Sequence, residues 1–350
     1  MIDIIDTLDG FSALKPIWEK LEQNPKLRIF QTYTWCRAAW DEYLSKKNNN
    51  RLWILKWHQD GKDDIVIFPF YIDCRGCLRF ILDTHSDACD SVYSEGVVNR
   101  YWTYKEAADA IRAHSEIKSV FFQKLPSGSE ALDYFPILLL GSVTSRDNAF
   151  SWVLSPQSES FISGQVQLRR KDRDRLKAIA RKASGLRFDI LSIGNRSAFP
   201  EDAIKRLRSR MVGWRRSNDT FLSDEMISFI NKIYQDGKCE IPVLSDDLGV
   251  HVLAFRLLEG TRINYWVVEY DNPRLVTELY LKYMDAKVKE HGYFFDFGVG
   301  AYGYKLGTYR PVLGVTFSIR YSRSIVRQLC GLLATNIRLL KDIIKPRRKK

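Results

Sequence analysis

Asp296 stands between Phe295 and Phe297 in a run of strand character, and Lys305 follows it after a turn rich in glycine and tyrosine. Side chains alternate across a strand, so Asp296 is expected to face away from both phenylalanines, where a carboxylate needs a cation or a ligand. In that place it would orient Lys305 or accept a proton, while Lys305 would neutralise charge on a phosphate or a tetrahedral oxyanion. A purely structural Asp–Lys pair produces the same pattern. Glu269, next to last in an upstream strand, would be a general base for an acceptor amine if it lines a cleft, and a solvated strand-end carboxylate otherwise. Tyr302 and Tyr304 suit stacking on a sugar ring or packing in a core.

Two further groups of residues suit phosphate. Asn272 is a good helix N-cap, Pro273 suits the first helical position, and the free N–H groups there, with Arg274, would bind a pyrophosphate; a plain helix start reads identically. Arg169, Arg170 and Arg173 belong to a stretch, Arg169 to Lys182, with basic residues on nearly every helical face. That excess charge would attract a nucleotide-linked or lipid-linked substrate, or simply form a solvated face. No metal-ligand spacing is present. Cys74-Arg75-Gly76-Cys77 is the one close cysteine pair and reads as a hairpin tip between two alternating apolar runs, and the five histidines are scattered.

The elements that must position these residues follow from periodicity. Leu8 to Glu22 and Thr32 to Leu44 have helical spacing, Arg51 to Trp57 and Asp64 to Tyr71 alternate as strands around Asp60-Gly61, and Leu78 to Asp83 adds a short strand. Tyr104 to Ser115 reads as a helix, Ser119 to Lys124 as a strand and Ser129 to Tyr134 as a helix. The second half predicts helices over Phe161 to Lys182, Pro200 to Arg216 and Phe221 to Asp236. Strands are expected at Arg187 to Ser192, Cys239 to Ser245, Val250 to Leu258 and Thr261 to Tyr270. A helix over Pro273 to His291 and strands at Tyr293 to Gly298 and Val312 to Arg320 complete it. This is an α+β order of mixed sheets flanked by helices. Turn composition at Leu154-Ser155-Pro156-Gln157-Ser158 sets domains at 1–155 and 156–319, with 320–350 as a basic amphipathic tail.

Composition bounds the rest. The 350 residues are 45% hydrophobic and carry a net charge of +12, so the chain can bury a large core and suits two domains. Between Phe161 and Arg216 sixteen Lys or Arg oppose five Asp or Glu, and between Arg320 and Lys350 ten oppose one. Basicity is therefore local. No DNA-binding motif is present. The N-terminal residues lack a signal peptide, no apolar run is long enough to span a bilayer, and six cysteines form no disulfide framework, so a cytoplasmic protein is expected. In the tail, Ile325, Val326, Leu329, Leu332, Leu333, Asn336, Ile337, Leu340 and Ile344 fall largely along one helical stripe before Lys345-Pro346-Arg347-Arg348-Lys349-Lys350. Such a stripe packs on a core or lies on the anionic inner leaflet.

From Val243 to Gly307 the chain resembles the acyltransferase domain of CelD/BcsL proteins, relatives of the FemAB transferases within the GNAT superfamily. The resemblance rests on Val252-Leu253-Ala254-Phe255-Arg256, Glu290-His291-Gly292, Phe295-Asp296-Phe297-Gly298-Val299-Gly300 and Tyr304-Lys305. Gly213-Trp214-Arg215-Arg216, the basic helix upstream and Phe30-Gln31-Thr32-Tyr33-Thr34-Trp35 are also similar. It implies two tandem GNAT-like domains, acyl-CoA as co-substrate, and an amine or hydroxyl of a sugar or peptide precursor as acceptor. Asp296, Lys305 and Glu269 are then catalytic, and Arg169, Arg170, Arg173, Trp214, Arg215 and Tyr304 bind substrate. Asn272 and Arg274 bind the donor. Where the superfamily has a glycine-rich pyrophosphate loop, this chain reads Tyr270-Asp271-Asn272-Pro273-Arg274. That departure keeps open an aminoacyl-tRNA donor, used by some FemAB relatives, and a non-catalytic envelope scaffold.

Overall fold

The computed structural model describes residues 1–47, 49–59, 64–95, 100–146, 149–153, 174, 177–181, 183–212, 222–290, 293–299 and 312–324. The chain opens with β1 (Ile2–Ile5), α1 (Leu8–Ala13) and α2 (Lys15–Leu21). Thr7 caps α1 by accepting from the Gly10 N–H, and Pro16 near the start of α2 breaks what periodicity reads as one helix. Phe11, Leu14, Trp18 and Leu21 are all buried, so the apolar stripe survives the break. α3 (Tyr33–Ala39) is capped by Thr32 and runs on into a π-helical turn.

Then come β2 (Arg51–Leu52), β3 (Ile54–His58), β4 (Ile65–Phe68), β5 (Phe70–Ile72), β6 (Cys77–Phe80) and β7 (Val92–Tyr93). Asp73 to Gly76 turns the β5–β6 hairpin, with Gly76 at φ 75° and its N–H on Asp73 O at 2.9 Å. α4 (Arg100–Ala113), β8 (Ser119–Pro126), α5 (Glu130–Leu138) and β9 (Ser142–Arg146) follow, then β10 (Ala149–Val153) and β11 (Arg187–Leu191). The chain continues through α6 (Glu201–Val212), α7 (Asp224–Gln235), β12 (Cys239–Asp246), β13 (Gly249–Glu259), β14 (Arg262–Tyr270) and α8 (Pro273–Glu290). It ends, within the described residues, with β15 (Phe294–Val299), β16 (Val312–Leu313) and β17 (Thr316–Ser322).

The chain divides into two compact units, Met1–Asp147 with the stretch from Val315 onward, and Asn148–Gly314. Unit 1 holds a sheet in the order β1-β3-β4-β7 and another in the order β2-β5-β6-β8-β17-β9; unit 2 holds one, β11-β12-β13-β14-β15-β10-β16. Each unit has one strand–helix–strand step with parallel strands, β6–α4–β8 and β14–α8–β15, and its other pairings are antiparallel. Each is completed by a strand from a distant part of the chain. β17 lies between β8 and β9, and β10 lies between β15 and β16.

This exchange corrects the boundaries expected at 155 and 319. Turn composition marks where the chain bends, whereas ladder hydrogen bonds decide to which sheet a strand belongs. The single strand expected over Val312 to Arg320 is in fact two: Leu313 pairs with Phe150 of unit 2, and Thr316 with Pro126 and Arg146 of unit 1. Arg320, expected to begin the tail, pairs with Phe121 and Ser142 inside β17. Residues 325–350 lie outside the described residues. Among the described residues no helix is long and apolar enough to cross a membrane.

In unit 2, α8 covers one face of the sheet through Leu275, Leu279, Tyr280, Tyr283 and Met284, against Val252, Ala254, Ile263, Tyr265, Phe295 and Phe297. α6 and α7 pack against β12 to β14 as well, and Phe229 of α7 meets Trp266 of β14 edge to face with ring centroids 6.2 Å apart.

Candidate functional site

β14 is irregular on both edges. On the β13 side Phe255 pairs with Val267 while Arg256 pairs with Tyr265, so Trp266 is an extra, bulged residue. On the β15 side the parallel pairing covers Arg262, Ile263 and Asn264, opposite Phe294, Phe295 and Asp296, and stops there. Among the described residues, the β14 backbone from Tyr265 to Tyr270 has no ladder partner on that side. The two strands therefore part at the bulge, and the wedge between them opens toward the start of α8. Gly298, at φ 68°, turns the β15 side away.

Asp296 sits at the apex of this wedge. Phe295 and Phe297 point into the α8-side core, and alternation puts Asp296 on the opposite face, 5% exposed. Its Oδ1 accepts from the Gly298 N–H at 2.9 Å, and its Oδ2 lies 3.4 Å from Arg262 Nη1. Arg262 is thus a partner for Asp296 that the sequence did not single out. Its signal was available: a strand parallel to β15 must place some β14 residue beside Asp296, and Arg262 and Asn264 are the polar ones. Glu269 is 2% exposed, so it is not a solvated strand-end carboxylate. Val268 and Tyr270 pack toward α8, which leaves Glu269 on the face of Asp296. The two stand about 16 Å apart along β14, given about 3.3 Å per residue. They form no carboxylate pair.

At the start of α8 the geometry overturns one expectation. Asn272 Oδ1 accepts from the Arg274 N–H at 3.1 Å, the Leu275 N–H bonds Asn272 O at 3.1 Å, and Pro273 has no N–H. The backbone donors expected to be free for a pyrophosphate are occupied within the turn, because Asn272 folds back as an N-cap. The Arg274 side chain is exposed.

Beside this turn lies a histidine cluster that sequence reading missed. His251 Nδ1 is 2.9 Å from Asp271 Oδ2, and its Nε2 is 2.9 Å from Asp246 Oδ2, the second an ion-pair contact without hydrogen-bond alignment. Asp271 Oδ2 also receives Arg210 Nη1 at 3.0 Å. Burial lowers the His251 pKa, but the two carboxylates outweigh it and the net shift is upward; His251 in turn lowers that of Asp246. Asp246, His251 and Asp271, with Ile179, Leu186, Asn272, Arg274 and Leu275, line a cleft of about 220 Å³. Asp246, His251 and Asp271 occupy adjoining strand ends of the β12–β13–β14 meander, so strand register would have revealed them.

On the α8 face Arg256 is fully buried, its guanidinium 3.8 Å from the ring centre of Tyr265 and 4.4 Å from that of Tyr280. Nη1 donates to Phe255 O at 3.1 Å, and the cation rests chiefly on aromatic faces. Its cross-strand neighbour Glu240 accepts from Tyr283 Oη at 2.7 Å and Lys287 Nζ at 2.9 Å. Burial drives the Tyr265 and Tyr283 hydroxyls upward, keeping both neutral.

Arg169, Arg170, Arg173, Trp214, Arg215, Tyr304 and Lys305 lie outside the described residues. Among those described, no group of three or more His, Cys, Asp or Glu is arranged to hold a metal ion.

No family model and no curated protein sequence matches the chain. Solved structures do. The C-terminal domain of a protein assigned as a lysylphosphatidylglycerol synthetase in Agrobacterium fabrum aligns with a TM-score of 0.53 at 12% identity, covering 86% of this chain and 95% of that one. FemX aligns with 0.52 at 11% identity over 91% and 97%. A tandem GNAT protein from the clavulanic acid biosynthesis pathway aligns with 0.52 at 8% identity over 91% and 98%. At such identities the likeness speaks for the fold, and the repeated strand–helix–parallel-strand step agrees with it: the chain is built as two GNAT-like domains in tandem.

Proposed function

We propose that the chain is an acyltransferase of the CelD/BcsL, FemAB-like kind, moving an acyl group from a thioester to an amine or hydroxyl of a polysaccharide or cell-envelope precursor. The observation that carries this reading is the wedge between β14 and β15, with β14 backbone groups that have no ladder partner among the described residues on one wall and a buried carboxylate at its apex. An extended thioester arm laid against that wall gains strand-like hydrogen bonds. A backbone N–H from the same edge is placed to meet the oxyanion as the acceptor attacks, and the thiolate leaves with no metal or covalent nucleophile required. Glu269 takes the acceptor proton, and Asp296 orients Lys305. Arg169, Arg170, Arg173, Trp214, Arg215 and Tyr304 hold the acceptor, whose phosphates the local basic charge attracts. The lysylphosphatidylglycerol synthetase domain among the fold neighbours supports a lipid-linked or otherwise envelope-bound acceptor.

The occupied N–H groups at the start of α8 favour a second donor. An acyl-CoA held by its pyrophosphate gains little there, whereas an aminoacyl-tRNA donor does not need that contact. Calorimetric titration with acetyl-CoA, longer acyl-CoAs and charged tRNA separates the two. Heat with charged tRNA alone moves the donor to RNA, and heat with neither class ends the transferase reading.

A further inference from the structure

A neutral imidazole carries one N–H, yet His251 has a carboxylate against each of its ring nitrogens. Only the imidazolium satisfies both contacts at once. The two contacts are not equivalent. Nδ1 makes an aligned hydrogen bond of 2.9 Å to Asp271 Oδ2, and Asp271 is anchored from elsewhere too: Arg210 Nη1 reaches the same oxygen at 3.0 Å, and the Asp271 N–H donates to His251 O at 3.0 Å. The Nε2 contact with Asp246 Oδ2 is also 2.9 Å but lacks hydrogen-bond alignment. Asp246 is the more exposed of the two side chains, at 32% against 15%. The weaker hold on the imidazolium is therefore the one at Nε2.

The backbone that carries Asp246 is held without His251. Asp246 Oδ1 accepts from the Leu248 N–H at 2.8 Å, and Arg206 of α6 reaches across the β12–β13 turn, Nη1 to Leu248 O at 3.0 Å and Nη2 to Val250 O at 2.6 Å. Gly249, at φ 117°, leaves room for that arginine, since a Cβ there would stand 2.6 Å from Arg206 Nη1. What can answer to the proton is thus the Asp246 carboxylate and not the turn. Among the described residues, the charged groups around His251 on the elements packed against it are Asp246 of β12, Asp271 after β14, Arg206 and Arg210 of α6 and Arg274 of α8. Arg187 of β11 pairs with Asp247 at 3.4 Å on the exposed edge. Burial works against the imidazolium and the two carboxylates outweigh it, so the ring titrates above its ordinary 6.5. Loss of the proton leaves one carboxylate in the cleft wall without its cation.

We propose that His251 is a proton-operated latch on this cleft: protonated, it ties Asp246 to Asp271 across the ends of β12 and β14, and on losing its Nε2 proton it keeps Asp271 and releases Asp246, which opens the cleft on the β12 side. The latch does not depend on acyl transfer, and its test needs no substrate. The first measurement follows the ring nitrogens of the full chain, ¹⁵N-labelled at its five histidines, by NMR from about pH 5 to about pH 9, with the His251 signals identified by their loss in His251→Ala. His251 is expected to pass from imidazolium to the tautomer with the proton on Nδ1. A ring that does not titrate in this range overturns the proposal, and so does a high-pH tautomer with the proton on Nε2, because Asp246 is then the partner retained. The second measurement is a pair of double-mutant cycles by chemical denaturation, His251→Ala with Asp246→Asn and with Asp271→Asn, at about pH 5.5 and about pH 8.5. The coupling to Asp246 should be at least about threefold in the folding equilibrium at the lower pH and vanish at the higher, while the coupling to Asp271 persists. Two couplings that fall together, or one to Asp246 that survives at the higher pH, would show that Asp246 is not the side released. Should Asp271→Asn fail to fold, the tautomer of the parent decides alone.

Discussion

The two parallel steps of the molecule have the same topology and opposite contents. In unit 2, β14 and β15 part after three paired residues around polar groups, Asp296, Arg262 and Asn264. In unit 1, β6 and β8 pair through Cys77–Ser119 and Leu78–Val120, and Phe80 and Phe122 on those strands come together at 4.8 Å between ring centres. Phe70 stacks on Phe122 at 4.8 Å and Phe135 lies 5.2 Å away, so rings fill the space. The connections differ too. β14 reaches α8 almost directly, whereas β6 leads into a long buried segment whose Cys89 N–H bonds Lys124 O at 3.0 Å across the end of β8. Leu82 and Lys124, at φ 54° and 58°, bend the backbone to admit it. The two units therefore share the parallel step, and local side chains decide what lies beside it.

The largest expected effect tests the filled half. Phe122→Ala removes a side chain with no exposed surface from the centre of the ring cluster and should cost about 3–5 kcal/mol of stability, read by chemical denaturation. A loss under about 1 kcal/mol, together with a loss of turnover, would mean that unit 1 also holds a working site. Asp296→Asn tests the polar half. It keeps shape and removes charge, so turnover should fall about a hundredfold or more while the thermal midpoint holds. Lys305→Ala should do the same. Near-normal turnover in either variant sinks the catalytic assignment.

The half that sequence rendered well was the local half. The β12–β13–β14 meander, α8 and β15 lie within a few residues of their expected places, because periodicity and caps are local signals. Asp296 opposite its phenylalanine neighbours was legible for the same reason. The exchanged strands were not: nothing in Ala149–Val153 announces that it pairs with Phe294–Val299, and ladder partners far apart in sequence leave no periodic trace. The pairing of Asp296 with Arg262 and the Asp246–His251–Asp271 cluster were missed likewise, since each joins different strands. The occupied N–H groups at Asn272 needed backbone geometry that residue types alone do not give.

A smaller effect concerns pH. The His251 pKa is raised from its ordinary value of 6.5, so the cluster's contribution to stability is complete below that pH and is lost as pH rises through the folded value. Asp90 in unit 1 behaves differently. Burial raises it to about 6, against three backbone N–H bonds that lower it, so its ionisation weakens the fold as pH rises from about 4 to 6. The two windows do not overlap. The thermal midpoint should therefore fall on going from pH 6.5 into the alkaline range in the parent and not in His251→Gln. A decline of equal size in both would remove the cluster as its cause.

The smallest effect falls at Asn272, where the superfamily's glycine loop would stand. Its side chain holds the Arg274 N–H and its carbonyl the Leu275 N–H, so Asn272→Ala should cost about 1 kcal/mol through the lost cap. Asn272→Gly should cost only a few tenths of that, since glycine is itself tolerated as an N-cap. The two variants separate the cap from a donor contact. If the turn serves only to start α8, donor affinity measured by titration stays at the parent value in both. If the cap instead blocks a latent pyrophosphate site, glycine frees the Arg274 N–H without a new side chain, and acyl-CoA binds tighter in Asn272→Gly than in the parent. A gain for acyl-CoA in both variants would show that the Asn272 side chain closes the donor end of the wedge between β14 and β15.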